Sequence, residues 1–260
     1  MNNNFDKTVR NFQHSKIHSS GRSLDIIFDT IPCRKTWVFA DLACGTGNLG
    51  RLFQGKVADV LFIDSSEKML NTCKKTTSDR GANFILSDCH SLPVDSGFVN
   101  IAGCRFAFHH FENPNRVFKE VQRILTPSGI FFIIDLVGSD NDLTNEMNHA
   151  IELLHDETHI KSYTALEISE LAKDHGFSYI KSVNYFEWQD GISISDWCKI
   201  TNREKNAQYI DDLLSTLSLA QLSELGYSKG QLGFINHIKI SITILKKIDA
   251  NNQYISSGKK

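Results

Sequence analysis

Three aspartates each follow a short apolar run, and a turn of small residues comes directly after the first of them. The aspartates are Asp41, Asp64 and Asp88, and the runs are residues 37–40, 57–63 and 83–86. In the turn, Gly45 and Gly47 let the backbone approach a ligand because they carry no Cβ. Carboxylates accept hydrogen bonds from hydroxyl and amino groups. The pattern predicts strands that present acidic residues and a bare turn to a ligand of nucleoside or phosphate size.

The elements that would position these residues are strands alternating with helices. Two further apolar runs, which predict a fourth and a fifth strand, occupy residues 99–106 and 130–136. Helical patterns cover residues 49–53, 67–77 and 113–125. The last of these begins with Asn113 as its cap and Pro114 in its first turn, carries Leu125 on its apolar face, and stops at the turn 126–129. Successive strand–helix units predict an α/β fold with a doubly wound, mostly parallel sheet.

The second half of the chain adds two strands and an insertion. A capping box at residues 164–167 opens a helix that ends at Gly176, and residues 177–188 form a sixth strand candidate. Residues 238–244 alternate strictly between Ile and polar side chains, which predicts a last, antiparallel strand with unlike faces. This makes a seven-stranded sheet. Between the last two strands, residues 189–231 have a largely helical pattern and predict a helical lid, with a stabilising cap on the sheet as the alternative.

We expect a single domain over residues 1–250. Its parts are an N-terminal cap (1–35), a cofactor-binding core (36–136), the rest of the sheet with its flanking helices (137–188 and 232–248) and the helical insertion (189–231). Residues 251–260 are expected to form a flexible tail. Residues 5–31, 137–163 and 189–231 are expected to roof the ligand site at the carboxyl ends of the strands.

Composition excludes several classes of partner. The formal net charge is −2 and the only terminal basic cluster is Lys259-Lys260, so a nucleic-acid partner is not expected. The longest apolar run, residues 130–134, is far shorter than the roughly 18 residues of a membrane span. Six cysteines form neither a CxxC pair nor a zinc-site spacing. We therefore expect a soluble, cytoplasmic protein with reduced thiols and no metal site; the oligomeric state is not indicated.

Two cofactors compete for the glycine turn. Residues 45–50 satisfy GxGxxG, and Asp64 follows the second strand, so an NAD(P)-dependent oxidoreductase has to be considered. Asp41 weighs against it, because a carboxylate at the end of the first strand suits an ammonium group and repels a diphosphate. Asp88 and the late antiparallel strand also depart from that pattern.

The chain resembles the class I S-adenosylmethionine-dependent methyltransferases, in particular the small-molecule (type 11) group that includes the quinone C-methyltransferases. The resemblance covers residues 36–136. It rests on the ordered segments DLACGTG (41–47), FIDSSEKML (62–70), LSDCHSLP (86–93), CRFAFHHF (104–111) and ILTPSGIFFIID (124–135). HSSG (18–21), DETH (156–159) and FEWQDGISISDW (186–197) resemble the flanks of that group more loosely.

The resemblance implies S-adenosyl-L-methionine as cofactor and a role for each acidic residue. Asp41 would hold the α-amino group, Asp64 would accept both ribose hydroxyls, and Asp88 would accept from the adenine amino group. The Cys89 backbone N–H would meet a ring nitrogen of adenine. Ala43 replaces the first glycine of the usual motif, from which we expect a slightly tighter turn and no lost ligand. The implied cofactor-binding residues are Asp41, Ala43, Cys44, Gly45, Thr46, Gly47, Asp64, Ser65, Met69, Asp88, Cys89 and Cys104.

The predicted activity is methyl transfer to a small acceptor. His109 and His110 are candidate general bases, although a structural or cofactor-floor role is the alternative for both. An aromatic or apolar acceptor is suggested by side chains in or near the roof segments: Phe106, Phe108, Phe111, Trp188 and Trp197. A non-catalytic protein that binds S-adenosylmethionine is the other alternative.

Turnover should not depend on a metal ion, because no group of His, Cys or carboxylates has the spacing of a ligand set. Activity measured in excess EDTA should equal activity without it. Loss of turnover in EDTA and its recovery with Mg²⁺ would contradict this prediction and would also remove the predicted acceptor site.

Overall fold

The main sheet has seven strands in the order β3-β2-β1-β4-β5-β10-β6. The structure is a computed structural model, and it describes residues 5–249. Over this range the strands are β1 (Val38–Leu42), β2 (Asp59–Asp64), β3 (Ala82–Leu86), β4 (Val99–Arg105), β5 (Leu125–Leu136), β6 (Phe177–Phe186), β7 (Ile192–Ser193), β8 (Tyr227–Gly230), β9 (Gly233–Asn236) and β10 (Lys239–Lys247). The doubly wound, mostly parallel seven-stranded sheet is confirmed.

Helices cover both faces of the sheet. Those of residues 5–249 are α1 (Phe5–His14), α2 (Lys16–Ser20), α3 (Arg22–Thr30), α4 (Asn48–Phe53), α5 (Glu67–Thr76), α6 (Pro114–Ile124), α7 (Asp142–His155), α8 (Ala165–Asp174), α9 (Ile194–Ile200), α10 (Ala207–Ser215) and α11 (Leu219–Leu225). Short 3₁₀ helices occupy Phe108–His110 and Glu204–Asn206. The predicted capping box is present, since Thr164 Oγ1 accepts from Glu167 N and Glu167 Oε2 accepts from Thr164 N.

The central strand β1 sets the layout. It pairs in parallel with β2 on one side and with β4 on the other, so the strand order reverses next to it. All five of its residues are buried, with Phe39 in one apolar cluster and Ala40 and Leu42 in the cluster on the opposite face. In such sheets ligands bind beyond the carboxyl ends of the strands at the point of reversal. Asp41 lies there.

Strand β10 is antiparallel to both β5 and β6, as predicted, but it lies between them. The prediction of unlike faces is wrong, because both faces are buried. Ser241 and Thr243 are accommodated there because the Ser182 hydroxyl of β6 lies 2.9 and 3.0 Å from their hydroxyls. Polar side chains that bond to one another can be buried without leaving unpaired groups.

Strand β5 begins five residues earlier than predicted. Leu125, which we assigned to the apolar face of the preceding helix, is its first residue and pairs with Val99. The predicted turn 126–129 is a local irregularity inside the strand, with Ser128 at a φ of 58° and a register shift opposite. A turn sequence can lie within a strand when the ladder continues on both sides of it.

The insertion is not purely helical. Helices α9, α10 and α11 are present, but β7 and β8 also lie within residues 189–231 and pair with β9 in a three-stranded antiparallel sheet. The prediction of helices alone is therefore wrong in this respect, because β7 has two residues and β8 has no alternation to reveal it. Trp197 and Leu214 pack in the same buried cluster as Ile240 of the main sheet.

The N-terminal helices are attached to the sheet by a buried ion pair. The Arg105 guanidinium, just where β4 ends, lies 2.8 Å from the Glu187 carboxylate, and their side chains are 5% and 0% exposed. Arg105 also donates to the carbonyls of Ile17 and His18, at 2.8 and 2.6 Å. Glu187 accepts from the Ser23 amide and hydroxyl. We call this group of residues the cap clamp. It holds α2 and α3 over the carboxyl end of β4.

The division into a cap, core and insertion stays a prediction. The predicted flexible tail, 251–260, and the first four residues of the cap lie outside the described residues. Within residues 5–249, none of the helices combines the length and the apolar character needed to cross a bilayer.

Glu187→Gln should destabilise the protein by about 3 kcal/mol, because it leaves the Arg105 charge buried without its counter-charge. The free energy of unfolding in urea measures this. The control is Asp196→Asn, which removes an exposed partner of Lys199 and should cost at most about 1 kcal/mol. Equal losses in the two variants would mean that the cap clamp does not stabilise the fold.

Candidate active site

A cavity of about 620 Å³ opens beyond the carboxyl ends of the parallel strands, and we call it the main cavity. This volume lies in the range of small-molecule sites. Most of the predicted site residues line it, namely Asp41, Ala43, Cys44, Gly45, Thr46, Asp64, Ser65, Met69, Asp88, Cys89 and His110. Three carboxylates from three adjacent strand ends thus meet around one space.

Two predicted cofactor-binding residues do not line the main cavity. Cys104 is fully buried in β4, within the apolar cluster under the strand. Gly47 begins α4 with a φ of 81°, and a Cβ at this position would lie 2.3 Å from the Cys73 sulfur. Gly47 is therefore required by close packing against α5, and the geometry gives neither residue a ligand contact.

The turn after β1 is strained and open. Ala43 has a φ of 50° and Gly45 a φ of 53°, both in the left-handed region. This conformation costs a residue with a Cβ about 1 to 2 kcal/mol, so Ala43 is held in place by its surroundings. A Cβ added to Gly45 would meet nothing within 4 Å, because the residue faces the cavity. The turn keeps its backbone accessible, as predicted from its glycines.

Asp41 and Asp64 are buried carboxyls bound by backbone amides. Asp41 Oδ2 accepts from Gly50 N at 2.8 Å, and the two oxygens of Asp64 accept from Gly45 N at 2.7 Å and Ser66 N at 2.8 Å. Burial raises the pKa of Asp41 well above its usual value, and it also raises the pKa of Asp64 against the opposing effect of these amides. A cationic ligand would favour the charged form of both groups.

Asp88 is a more exposed carboxylate that is fixed by His90. Its Oδ1 lies 2.8 Å from His90 N and 2.5 Å from His90 Nδ1. His90 Nε2 accepts from Asn113 N, so Nδ1 carries the proton and donates to Asp88. Burial would raise the pKa of Asp88, but the bonds from His90 lower it. The carboxylate is therefore ionised and its orientation is fixed.

Acidic groups dominate the wall of the main cavity. Asp41, Asp64 and Asp88 all line it, whereas Arg105 is the one Lys or Arg among the described lining residues. The Arg105 guanidinium is already paired with Glu187 in the cap clamp. A diphosphate would be repelled here, whereas a ligand carrying positive charge would be attracted.

A smaller space of about 60 Å³ adjoins the main cavity, and we call it the inner chamber. Five residues line both spaces and form the junction: Phe12, His18, Phe106, His110 and His159. Behind them the chamber is lined by Glu152 and His155 of α7 and by Trp197 of the insertion. Phe106 has a φ of 52°, an unusual conformation for a bulky residue and one often found at functional sites.

The predicted roof segments divide between the two spaces. The N-terminal helices contribute Phe12 and His18 to the main cavity, and the loop after α7 contributes Thr158 and His159. The insertion contributes Trp197, Ile200 and Thr201 to the inner chamber. Of the aromatic residues singled out from the sequence, Phe106 and Phe111 line the main cavity, whereas Phe108 is core.

His109 and His110 lie in one 3₁₀ turn with their ring centroids 3.9 Å apart, but they bond to different partners. His109 Nδ1 lies 2.5 Å from Asp135 Oδ1 of β5, and the pair is buried. Burial would lower the pKa of His109, but Asp135 raises it. His110 faces the main cavity with Nδ1 3.0 Å from the Thr158 carbonyl, and burial lowers its pKa to about 4. His109 is thus bonded to Asp135 at the wall of the inner chamber, and His110 is a weak base.

Comparison with known proteins agrees with this geometry. Residues 40–133 match the family model described as a methyltransferase domain. The uncharacterized methyltransferase YcgJ of Bacillus subtilis is 22% identical over 198 residues, which cover 75% of this chain and 77% of that protein. Its crystal structure has a TM-score of 0.76 at 20% identity and covers 88% of this chain and 99% of its own.

Two further matches bear on the same conclusion. A putative methyltransferase of Bacillus halodurans has a TM-score of 0.81 at 19% identity, over 88% of this chain and all of its own. The demethylmenaquinone methyltransferase of Thermotoga maritima is 34% identical over 99 residues, 37% of this chain and 42% of that protein. Residues 40–133 therefore form a methyltransferase domain, and the chain shares its fold with the solved methyltransferase structures. The methyltransferase domain contains Asp41, Asp64 and Asp88, and the inner-chamber residues Glu152 and Trp197 lie outside it.

Several residues of the two spaces could not be assigned from the sequence. Arg105 and Glu187 lie in segments that we quoted, but their contact joins positions 82 residues apart and leaves no local pattern. Glu152 and His155 resemble ordinary residues of a helix. The DETH segment, residues 156–159, and the predicted roof segment, residues 137–163, pointed to this region of the chain but to neither residue.

Replacing His109 by Gln should destabilise the protein most between about pH 4 and 6.5. The pKa of His109 is higher in the folded protein than in the unfolded chain, where it is about 6.5. Its contribution to the free energy of unfolding is therefore complete below about pH 6.5 and is lost as the pH rises through the folded-state pKa. The pKa of Asp135 is lower in the folded protein than in the unfolded chain, where it is about 3.9. The contribution of Asp135 to the free energy of unfolding is therefore complete above about pH 3.9 and is lost as the pH falls through the folded-state pKa. We expect a loss of about 1.5 to 3 kcal/mol at pH 5.5 and less at pH 9.

Urea unfolding at the two pH values measures the difference between wild type and His109→Gln. His14→Gln, at an exposed position of α1, is the control and should stay within about 0.5 kcal/mol at both. A difference that does not change with pH would show that no ion pair forms.

Proposed function

We propose that the main cavity binds S-adenosylmethionine and that the enzyme transfers its methyl group to a small acceptor at the junction with the inner chamber. The observation that carries this proposal is the meeting of Asp41, Asp64 and Asp88 around one acidic cavity next to an open glycine turn. The cofactor offers a cation, a pair of hydroxyls and an amino group, which these carboxylates can bind.

Each carboxylate has a part of the cofactor that suits its surroundings. Asp41 would bind the α-ammonium group, which would return this buried carboxyl to its charged form. Asp64 would accept from the ribose hydroxyls while its bonds to Gly45 and Ser66 keep it in place. Asp88, oriented by His90, would accept from the adenine amino group, beside the Cys89 backbone.

When bound, the cofactor supplies a methyl group on a positively charged sulfur. The protein then has to align the acceptor with that group and keep water away. Phe12, Phe106 and Phe111 give the remaining wall of the main cavity an aromatic character, which supports an acceptor with an apolar body. The cap clamp holds the carbonyl groups of Ile17 and His18, and so keeps α2 closed over the strand ends.

The two alternatives differ in what they would bind and release. An NAD(P)-dependent oxidoreductase is disfavoured by the acidic wall, which would repel a diphosphate. A non-catalytic protein would bind S-adenosylmethionine without consuming it. Calorimetry with S-adenosylmethionine and with NADH tests the first alternative, because an oxidoreductase would bind NADH. Incubation of metabolite extracts with the radiolabelled cofactor, followed by separation of labelled products, separates the second.

Asp64→Ala should weaken S-adenosylmethionine binding by about 30-fold or more, since it removes two charge-assisted hydrogen bonds worth about 2 to 4 kcal/mol. Asp64→Asn, which keeps the shape and one acceptor oxygen, should lose less. Asp59→Ala, at the opposite end of β2, is the matched control and should bind normally. Titration calorimetry provides all the affinities. Wild-type affinity in Asp64→Ala would exclude Asp64 from the site.

A further inference from the structure

The inner chamber contains a buried carboxyl group that has no partner among the described residues. Glu152 is 5% exposed and projects from α7 into this space. Within residues 5–249, its carboxyl group has no hydrogen-bond partner and no ion pair. A buried carboxyl is normally paired, and leaving one unpaired carries a large desolvation penalty. This is therefore a place where a ligand group is expected.

A second polar side chain in the chamber is also unsatisfied. His159 is 4% exposed, and neither of its ring nitrogens has a partner in the described structure. It lies at the junction, so it faces both the inner chamber and the main cavity. Two unpaired groups, one from α7 and one from the loop that follows it, thus converge on the same space.

The charges around the chamber favour a cation. Burial lowers the pKa of His18 and of His155 to about 3, so both rings are neutral. The carboxyls of Asp135 and Asp156 add negative charge near Glu152, and His109 opposes it. His109 is already paired with Asp135. The nearest arginines are engaged as well, since Arg105 pairs with Glu187 and Arg203 with Glu157.

The walls of the chamber are aromatic. The His155 ring stacks on Trp197 with centroids 3.8 Å apart, and the His18 ring contacts Phe12 at 4.7 Å and Phe106 at 5.5 Å. Aromatic faces attract organic cations, and a carboxylate among such faces is a common arrangement for binding them. A phosphate or a carboxylate ligand would be repelled by the negative charge near the chamber.

We propose that the methyl acceptor is an organic amine, whose amino group binds Glu152 at the inner chamber while its apolar body occupies the main cavity. This rests on the proposed function, and it specifies the substrate class of the same site. The amine enters as an ammonium ion, and its binding displaces the Glu152 proton to solvent. The Glu152 carboxylate then accepts one of the ammonium protons. The nitrogen lone pair then forms the bond to the methyl carbon as the carbon–sulfur bond breaks and its electron pair stays on sulfur. The product nitrogen carries the methyl group and the positive charge.

Glu152 suits this proton transfer. Burial raises its pKa to about 8, with Asp156 and Asp135 adding to the effect and His109 opposing it. A base with a pKa near the operating pH accepts a proton efficiently, and ammonium groups are acids of somewhat higher pKa. His18, His110 and His155, with pKa values of about 3 to 4, are too weak for this role, and His109 is already bonded to Asp135.

The test compares amines with alcohols of the same shape by calorimetry on protein saturated with S-adenosylhomocysteine. The probes are 2-phenylethylamine against 2-phenylethanol, and tryptamine against tryptophol. We expect each amine to bind about 30-fold more tightly than its alcohol, as for a hydrogen-bonded ion pair. Glu152→Gln should abolish this preference. Glu146→Gln, exposed on the same helix, should retain it.

A measurement on the wild type covers the case in which Glu152→Gln does not fold. At pH 7 the raised pKa keeps Glu152 protonated, so binding of an ammonium ion should release close to one proton, and binding of the alcohol should release none. Titrations in buffers of different ionisation enthalpy measure this number.

The outcomes separate the two proposals. Failure of S-adenosylhomocysteine to bind would overturn the proposed function itself. If it binds but the alcohols bind as well as the amines, if neither probe binds, or if amine binding releases no proton, the amine proposal is wrong. Equal amine affinity in Glu152→Gln would overturn it too.

Discussion

The structure depends on two carboxyl groups that are buried among backbone amides at the ends of parallel strands. Asp41 and Asp64 accept hydrogen bonds from Gly50, Gly45 and Ser66, and these bonds fix the turn and the helix start on either side of the cavity. A carboxyl group held only by amide dipoles is fixed in place, but burial disfavours its charged form unless a cation lies beside it. A cation in the main cavity would therefore stabilise the charged form of these carboxyl groups, and the open turn leaves room for it.

Much of this could be predicted from the sequence because the signals are local. Continuous apolar runs such as the one ending at Asp41 report a buried parallel strand, and a small-residue turn after it reports a ligand. The last strand was harder, since Ser241 and Thr243 read as solvent-facing until Ser182 is known to lie opposite them. The two-residue strand β7 leaves no periodicity to detect. Interactions between distant positions cannot be recognised from one sequence.

The main cavity and the inner chamber handle charge in different ways. In the main cavity, carboxylates are fixed by amides and by His90, so each presents a defined acceptor to a ligand. In the inner chamber, burial lowers the pKa of His18 and of His155 to about 3, and the Glu152 carboxyl has no partner among the described residues. The first arrangement suits a cofactor of constant structure. The second suits a proton that has to move, because only a group with matched proton affinity can accept it and return it.

The cap clamp also bears on the order in which the protein assembles. Its three parts come from the beginning, the middle and the later part of the chain, and Ser23 and Glu187 are 164 residues apart. Contacts of such separation form only after long stretches of chain have been ordered, and during synthesis the first helices emerge well before their partner exists. Helices α2 and α3 must therefore wait in an undocked state while the sheet forms. The closed roof is a late product of folding, and the nascent chain passes through a stage in which the main cavity exists without its cover.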